Sequence, residues 1–122
     1  MVALSARHEI GVDVETSLVI DAGEFEALLH PSEQADWPPA PELPEFLMQL
    51  WCRKEAALKA FGVGLSVAPE RCAVGPPSSS WRAVLIDGLG GAQVRSIDIP
   101  FDAALSVAVL GAEGPDWAVF CG

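Results

Sequence analysis

Large apolar side chains recur at helical spacing over one long stretch of the chain. Residues 44–61, PEFLMQLWCRKEAALKAF, place five of them on one face: Leu47, Leu50, Trp51, Leu58 and Phe61. This spacing predicts an amphipathic helix that buries a single stripe of its surface. Pro44 suits the first turn of that helix, and Gly62 suits the position just beyond its last turn.

Shorter apolar segments, with alternating or continuous patterns, predict β-strands. They cover residues 10–14, 81–86, 92–99, 104–111 and 116–121. The pairs Asp87-Gly88 and Gly90-Gly91 predict a hairpin between the second and third of these strands. The predicted fold class is α+β, a mainly antiparallel sheet packed against one long helix, in a single domain that spans residues 1–122.

The remaining segments predict connections. Residues 23–30, GEFEALLH, are typical of a short helix or helical turn. Residues 31–44 contain a crowd of prolines, and proline removes backbone donors and fixes φ, so this stretch predicts an irregular surface connection. Residues 76–80, PPSSS, predict a loop.

The composition indicates an ordinary globular domain. The chain has 122 residues, of which 51% are hydrophobic, enough for a core in one domain. No apolar run approaches the roughly 20 residues of a membrane helix, and the N-terminus does not resemble a signal peptide. Three widely spaced cysteines, Cys52, Cys72 and Cys121, indicate reduced thiols in a cytoplasmic protein rather than a disulfide framework.

The charge is strongly acidic and unevenly distributed. A net charge of −10 disfavours binding to nucleic acid or to an anionic membrane. Residues 1–50 carry ten acids and one base, whereas residues 51–122 carry six bases and seven acids. A polyphosphate ligand would therefore have to be bound mainly by the second half or by backbone amides.

Two acidic side chains of the first predicted strand point the same way. Asp13 and Glu15 lie at positions i and i+2, so they share one face of the strand. Neighbouring carboxylates repel each other unless a cation lies between them, and oxygen ligands suit magnesium when the substrate brings phosphates. For this segment alone, an edge strand with one solvated acidic face is the simpler interpretation.

The predicted helix carries a second group of charges. Glu55 and Lys59 form an i, i+4 pair in the favourable orientation. Lys54 lies nearer the apolar face, where its stem can pack while its ammonium reaches outward. An ordinary charged surface helix is the alternative interpretation.

In combination, these segments resemble a known family. The strand Gly11–Glu15, GVDVE, is followed by the helix segment Trp51–Lys59, WCRKEAALK, and by Phe61–Leu65, FGVGL. Their order and spacing resemble the signature of the phosphopantetheinyl transferase superfamily, G-[VI]-D-[VI]-E, then W-x-x-K-E-[AS]-x-x-K, then a glycine-rich end. The segment Leu29–Glu33 and the stretch ALSVAVL resemble further family segments. The likeness is sharp over residues 10–65 and loose over 66–122.

The resemblance implies a magnesium-dependent transfer of 4′-phosphopantetheine from coenzyme A to a serine of an acyl or peptidyl carrier protein. It implies magnesium ligands at Asp13, Glu15 and Glu55. It also implies phosphate ligands at Lys54 and Lys59, with Lys59 steadying the leaving group and Glu55, or a water held by it, acting as the base. Gly62 and Gly64 would let the backbone approach the nucleotide, unless they serve only as a helix cap and a turn.

The chain departs from the patterns of both known types of the family. The tryptophan form of the helix motif resembles the second half of the larger type, which activates peptide synthetases. The length instead resembles holo-acyl-carrier-protein synthase, which is a trimer. We therefore expect a homo-oligomer, a dimer first and a trimer second. The alternative is a non-catalytic, truncated relative that binds coenzyme A or a protein partner.

Overall fold

A computed structural model describes residues 2–3, 9–16, 24, 26–36, 43–62, 67–86, 89–98, 103–110 and 119–120. Its one long helix is α1 (Leu43–Phe61), and single-turn to two-turn 3₁₀ segments occur at Pro31–Asp36 and Pro69–Arg71. The strands, in chain order, are β1 (Val2–Ala3), β2 (Ile10–Glu15), β3 (Cys72–Ala73), β4 (Arg82–Ile86), β5 (Leu89–Ile97), β6 (Ala104–Leu110) and β7 (Val119–Phe120).

Five of these strands form one antiparallel sheet in the order β2-β6-β5-β4-β3. Of the strands in this sheet, β2 comes first along the chain and β6 comes last, and the two are neighbours. Their register places Asp13 opposite Ser106 and Glu15 opposite Ala104. The short strands β1 and β7 form a separate antiparallel pair. The sheet and the long helix packed against it confirm the predicted α+β class.

Helix α1 covers one face of the sheet through the apolar stripe that the sequence predicts. Leu47, Leu50 and Leu58 are buried, and Trp51 and Phe61 are partly buried against the same core. Small residues of the helix, including Ala56 and Ala60, are also buried. The helix packs mainly on β2 and β6, so that charged residues on its flank are brought to the acidic strand.

A glycine sets how closely α1 and β2 approach. A Cβ at Gly11 would collide with the carbonyl oxygen of Ala56 and the amide nitrogen of Ala60, and would press on the Lys59 Cβ. Because the first two are backbone atoms, a rotamer change cannot relieve the overlap. Only glycine therefore allows this packing distance, and alternation along β2 then places Asp13 and Glu15 on the same, helix-facing side.

The connections differ from the sequence expectations in several places. Residues 31–36 form a 3₁₀ helix rather than an irregular connection, because the buried carboxylate of Glu33 accepts hydrogen bonds from the backbone amides of His30, just before the segment, and of Val74, after β3. Gly90 and Gly91 belong to β5 rather than to a turn, while Asp87 and Gly88 lie outside the described residues. The predicted strand over 116–121 is seen only as β7, and β1 and β3 were not predicted.

The part of the chain that the structure describes contains no helix both long enough and apolar enough to cross a membrane.

Candidate functional site

The acidic pair of β2 lies under helix α1 rather than in solvent. Asp13 is only 7% exposed, and Glu15 is half-buried. The side chains that point away from the helix are the apolar ones of the same strand, with Val14 42% exposed. The solvated acidic face of an edge strand, which was the simpler interpretation of the sequence, is therefore wrong for this strand.

Lys59 reaches from the last turn of α1 to this acidic pair. Its Nζ lies 2.7 Å from Asp13 Oδ1 and also donates to the backbone oxygen of Val12 at 3.3 Å. Asp13 Oδ2, in contrast, is buried and has no hydrogen-bond partner among the described residues. An unpaired buried carboxylate oxygen is costly, which makes this atom a natural position for a bound cation.

Glu15 and Glu55 complete a cluster of like charges. Burial raises the pKa of Glu15 to about 7, and the neighbouring carboxylates of Asp13 and Glu55 raise it further, while Lys59 opposes the shift. The pKa of Glu55 is raised by burial and by Asp13, with Lys59 opposing the shift. Burial opposes the charged form of Lys59, but its hydrogen bond to Asp13 and the surrounding carboxylates together raise its pKa.

The donor chemistry of this cluster fits a hard divalent cation. Asp13, Glu15 and Glu55 interact electrostatically with one another and with the Lys59 ammonium, and magnesium prefers carboxylate and other oxygen ligands. Within the described ranges, however, no three His, Cys, Asp or Glu side chains are grouped at the spacing of a metal site. The convergence of Asp13, Glu15 and Glu55 on one ion therefore stays a prediction.

Contrary to the prediction from the sequence, the ammonium group of Lys54 does not reach the surface of the helix. Its side chain is fully buried, and its Nζ lies 2.5 Å from Glu33 Oε1. It also donates to the backbone oxygens of Pro69 and Cys72. An ammonium group has three N–H donors, and these three partners use all of them. The expectation that its ammonium reaches outward is wrong, and nothing is left to bind a phosphate in this conformation.

Glu33 is a buried residue whose importance the sequence reasoning missed. It is 2% exposed, and its carboxylate accepts hydrogen bonds from the backbone amides of His30 and Val74 in addition to Lys54. The ion pair thereby ties the 3₁₀ segment to α1 and to the chain after β3. The residues around Glu33 show no apolar pattern that would predict its burial.

Arg53 is the second buried cation of the helix. Its guanidinium donates to the backbone oxygens of Ser78 and Val74 and to Ser96 Oγ. Burial lowers the pKa of Arg53 to about 10. With Lys54, it turns one side of α1 into a polar anchor for the chain on either side of β3, while Glu55 and Lys59 lie on the side that faces β2.

Of the two glycines that follow α1, the structure describes Gly62 but not Gly64. Gly62 has φ of +69°, and its amide donates to the carbonyl oxygen of Lys59 at 3.0 Å. This left-handed conformation caps the helix, in agreement with the capping interpretation. Gly64 lies outside the described residues, so a contact of either glycine with a nucleotide stays a prediction.

Cys52 joins the acidic strand to the neighbouring one. Burial raises the pKa of its thiol to about 12, so the S–H group persists and can donate to the backbone oxygens of Asp13 and Ala104, with Sγ at 3.0 and 3.4 Å. A small donor at this helix position fixes the backbone beneath the carboxylate cluster.

Comparison with known families agrees with this geometry. The family model of the 4′-phosphopantetheinyl transferase superfamily matches residues 9–109, which include β2, α1 and the rest of the five-stranded sheet. A search of curated proteins gave no significant match.

Proposed function

Because the chain belongs to the 4′-phosphopantetheinyl transferase superfamily, we propose that it transfers 4′-phosphopantetheine from coenzyme A to a serine of an acyl or peptidyl carrier protein. One observation supports this most directly: the close packing at Gly11 lets Lys59 of α1 contact Asp13 of β2, with Glu15 and Glu55 near enough to interact electrostatically with both. The family resemblance assigns the reaction chemistry to these same four residues.

Asp13, Glu15 and Glu55 are the residues that would hold magnesium, which supplies charge neutralisation at the pyrophosphate of coenzyme A. Lys59 is half-exposed, so it can leave Asp13 and donate to a phosphate oxygen. Glu55 accepts the proton of the carrier serine as the serine oxygen bonds to phosphorus and adenosine 3′,5′-bisphosphate departs. A raised pKa suits that role, because a general base works best when its pKa lies near the working pH.

The proposal is tested by incubating an apo carrier protein with coenzyme A, magnesium and the chain, followed by mass spectrometry. We expect the carrier to gain the mass of phosphopantetheine, and expect EDTA or Glu55→Gln to abolish the gain. Glu70→Gln, which neutralises an exposed carboxylate before β3, is the matched control and should leave the gain intact. Failure with both acyl and peptidyl carriers, under conditions where coenzyme A binds, would refute the transferase proposal.

A non-catalytic relative that binds coenzyme A or a protein partner is the second candidate. It is favoured by the burial of Lys54 against Glu33, since only Lys59 of the two predicted phosphate ligands contacts the acidic strand. In that case coenzyme A should bind without any modification of the carrier.

We also propose that the chain works as a homo-oligomer in the cytoplasm, a dimer first and a trimer second. Buried free thiols at Cys52 and Cys72 are consistent with a reducing compartment. Val14 and Leu85 are large hydrophobic residues that stay 42% and 68% exposed, as expected of a small domain that buries more surface on association. Light scattering at micromolar concentration tests this, and a fully active monomer would contradict it.

A further inference from the structure

Two buried oxygen atoms on neighbouring strands beneath helix α1 lack hydrogen-bond partners. They are Asp13 Oδ2 on β2 and Ser106 Oγ on β6, and neither has a partner among the described residues. Asp13 and Ser106 are direct register partners. Such residues of antiparallel strands point to the same face of the sheet, with their Cβ atoms about 4.5–5.5 Å apart. An unused acceptor and an unused hydroxyl donor therefore lie side by side in the interior.

The thiol of Cys52 lies close to both of these side chains. Burial raises the pKa of this thiol to about 12, a contact with the Ser106 hydroxyl opposes the shift, and the Asp13 carboxylate adds to it. Sulfur is a weak acceptor, and the S–H group donates to the backbone oxygens of Asp13 and Ala104. Cys52 therefore does not meet the hydrogen-bonding needs of the Ser106 hydroxyl or of Asp13 Oδ2.

The other polar groups around Asp13 are poor donors to Oδ2 once a cation is bound. Lys59 contacts the opposite oxygen, Oδ1, and turns to a phosphate in the proposed reaction. Glu15 and Glu55 must be ionised to bind a cation, and an ionised carboxylate only accepts hydrogen bonds. Carboxylates that bind metals are themselves held by hydrogen bonds from the protein, and Ser106 carries an unused hydroxyl on the paired strand.

We infer that Ser106 is a positioning residue of the carboxylate cluster, and that its hydroxyl donates to Asp13 Oδ2 when the carboxylate binds a cation. Each carboxylate oxygen has about two lone-pair sites, so Oδ2 can accept this hydrogen bond and still bind the cation. A change of χ1 rotamer turns the hydroxyl without moving the backbone of β6. The inference rests on the proposed function, which assigns the cation to this cluster.

Ser106→Ala and Ser96→Ala form a matched pair for the test. Ser96 is the register partner of Ser106 on the strand away from Asp13, and its hydroxyl already accepts a hydrogen bond from Arg53 at 3.1 Å. Calorimetry with magnesium alone measures metal affinity, and chemical denaturation without metal measures stability. In Ser106→Ala we expect magnesium to bind about tenfold more weakly. The denaturation midpoint should not fall, because the lost hydroxyl has no partner in the metal-free chain.

Ser96→Ala should show the opposite pattern, a lower denaturation midpoint with unchanged magnesium affinity, because it deprives the buried Arg53 of a partner. Ser106→Thr keeps the hydroxyl and should restore most of the magnesium affinity, even where its added methyl group lowers stability. This variant separates loss of the hydroxyl from a disturbance of packing.

Unchanged magnesium affinity in Ser106→Ala, or an equal loss of affinity in Ser96→Ala, would overturn the inference and leave the transferase proposal intact. Failure of Ser106→Thr to restore the affinity would overturn it as well. A loss confined to Ser106→Ala, in a chain that modifies no carrier protein, would support the role of Ser106 while refuting the transferase proposal.

Discussion

At the scale of single residues, the two lysines of the helix motif have different surroundings. Lys54 is fully buried against Glu33 and two backbone oxygens, whereas the Lys59 side chain is 50% exposed at the carboxylate cluster. The sequence places both on one helix, with Lys54 nearer the apolar face, but it does not predict that the Lys54 ammonium is buried. Position 54 differs because the chain around Glu33 and β3, which is distant in sequence, closes over it.

Replacing Lys54 by methionine should therefore damage the fold rather than ligand binding. The change leaves the Glu33 charge buried without its cation, and breaking a buried pair costs about 3–5 kcal/mol of unfolding free energy. Chemical denaturation measures this, and the double variant Lys54→Met/Glu33→Gln should recover part of the loss. A stable Lys54→Met variant with weakened coenzyme A binding would instead return Lys54 to the phosphate site.

Replacing Lys59 by methionine should shift two affinities in opposite directions. Lys59 occupies Asp13 Oδ1 in the metal-free chain, so its removal should strengthen magnesium binding by about 1 kcal/mol, the upper value for a half-exposed ion pair. Coenzyme A binding should weaken by about 1.5–3 kcal/mol, because a charge-assisted contact to phosphate is lost. Calorimetry with magnesium and with coenzyme A measures the two affinities. A change of both affinities in the same direction would contradict this double role of Lys59.

Glu15 should make both stability and metal binding depend on pH. Its pKa is raised from 4.5 to about 7 in the folded chain, so the folded state binds more protons than the unfolded state between those values. Unfolding free energy from this group therefore falls as pH rises from about 4.5 to 7, while magnesium affinity rises because the proton no longer competes. Glu15→Gln should remove both trends in denaturation and calorimetry, and their persistence would assign them elsewhere.

At the scale of elements, the pattern of the sequence predicts most of what is local. Helix α1 begins one residue before its predicted start and ends at the predicted residue, and the strand over 104–111 is found as β6. The pattern of apolar residues is strong in both of these segments. The 3₁₀ segment at Pro31–Asp36 and the two-residue strands β1 and β3 could not be predicted, since their hydrogen bonds come from residues far along the chain.

The fit between β2 and α1 depends on Gly11 and can be tested directly. In Gly11→Ala the added Cβ meets backbone atoms of Ala56 and Ala60, so the helix must move away from the strand. Overpacking costs about 1–3 kcal/mol, and we expect the upper end of that range in denaturation. Magnesium affinity should fall too, as Glu55 moves away from Asp13.

Ala83→Val, on the exposed face of β4, is the matched control and should stay within about 0.5 kcal/mol of the original chain. A Gly11→Ala variant with unchanged stability would show that the strand and helix are less tightly fitted than the structure indicates.

At the scale of the whole molecule, burial removes charges of both signs and leaves the surface strongly acidic. The chain carries 17 acids against seven bases; two of the bases, Arg53 and Lys54, and two of the acids, Asp13 and Glu33, are buried. The charge of the two buried bases acts mainly on the chain around β3, as their contacts with Val74 and Glu33 show. The sequence gives the net charge correctly, but only the packed structure shows which cations face the solvent.

This surface should slow the approach of an acidic carrier protein, and salt should relieve the effect. Raising the ionic strength from about 10 to 150 mM shortens the Debye length from about 30 to 8 Å, so repulsion between two acidic proteins weakens and the association rate should rise severalfold. Stopped-flow mixing with an acyl carrier protein at fixed magnesium measures the rate, and a carrier with its surface acids changed to amides should lose the salt dependence.

A rate that falls with salt would instead indicate that the carrier meets a local basic surface, formed either by exposed residues such as Arg71 and Arg82 or by association of two chains. Ordinary steering between opposite charges has that sign, so the direction of the salt effect alone separates the two cases.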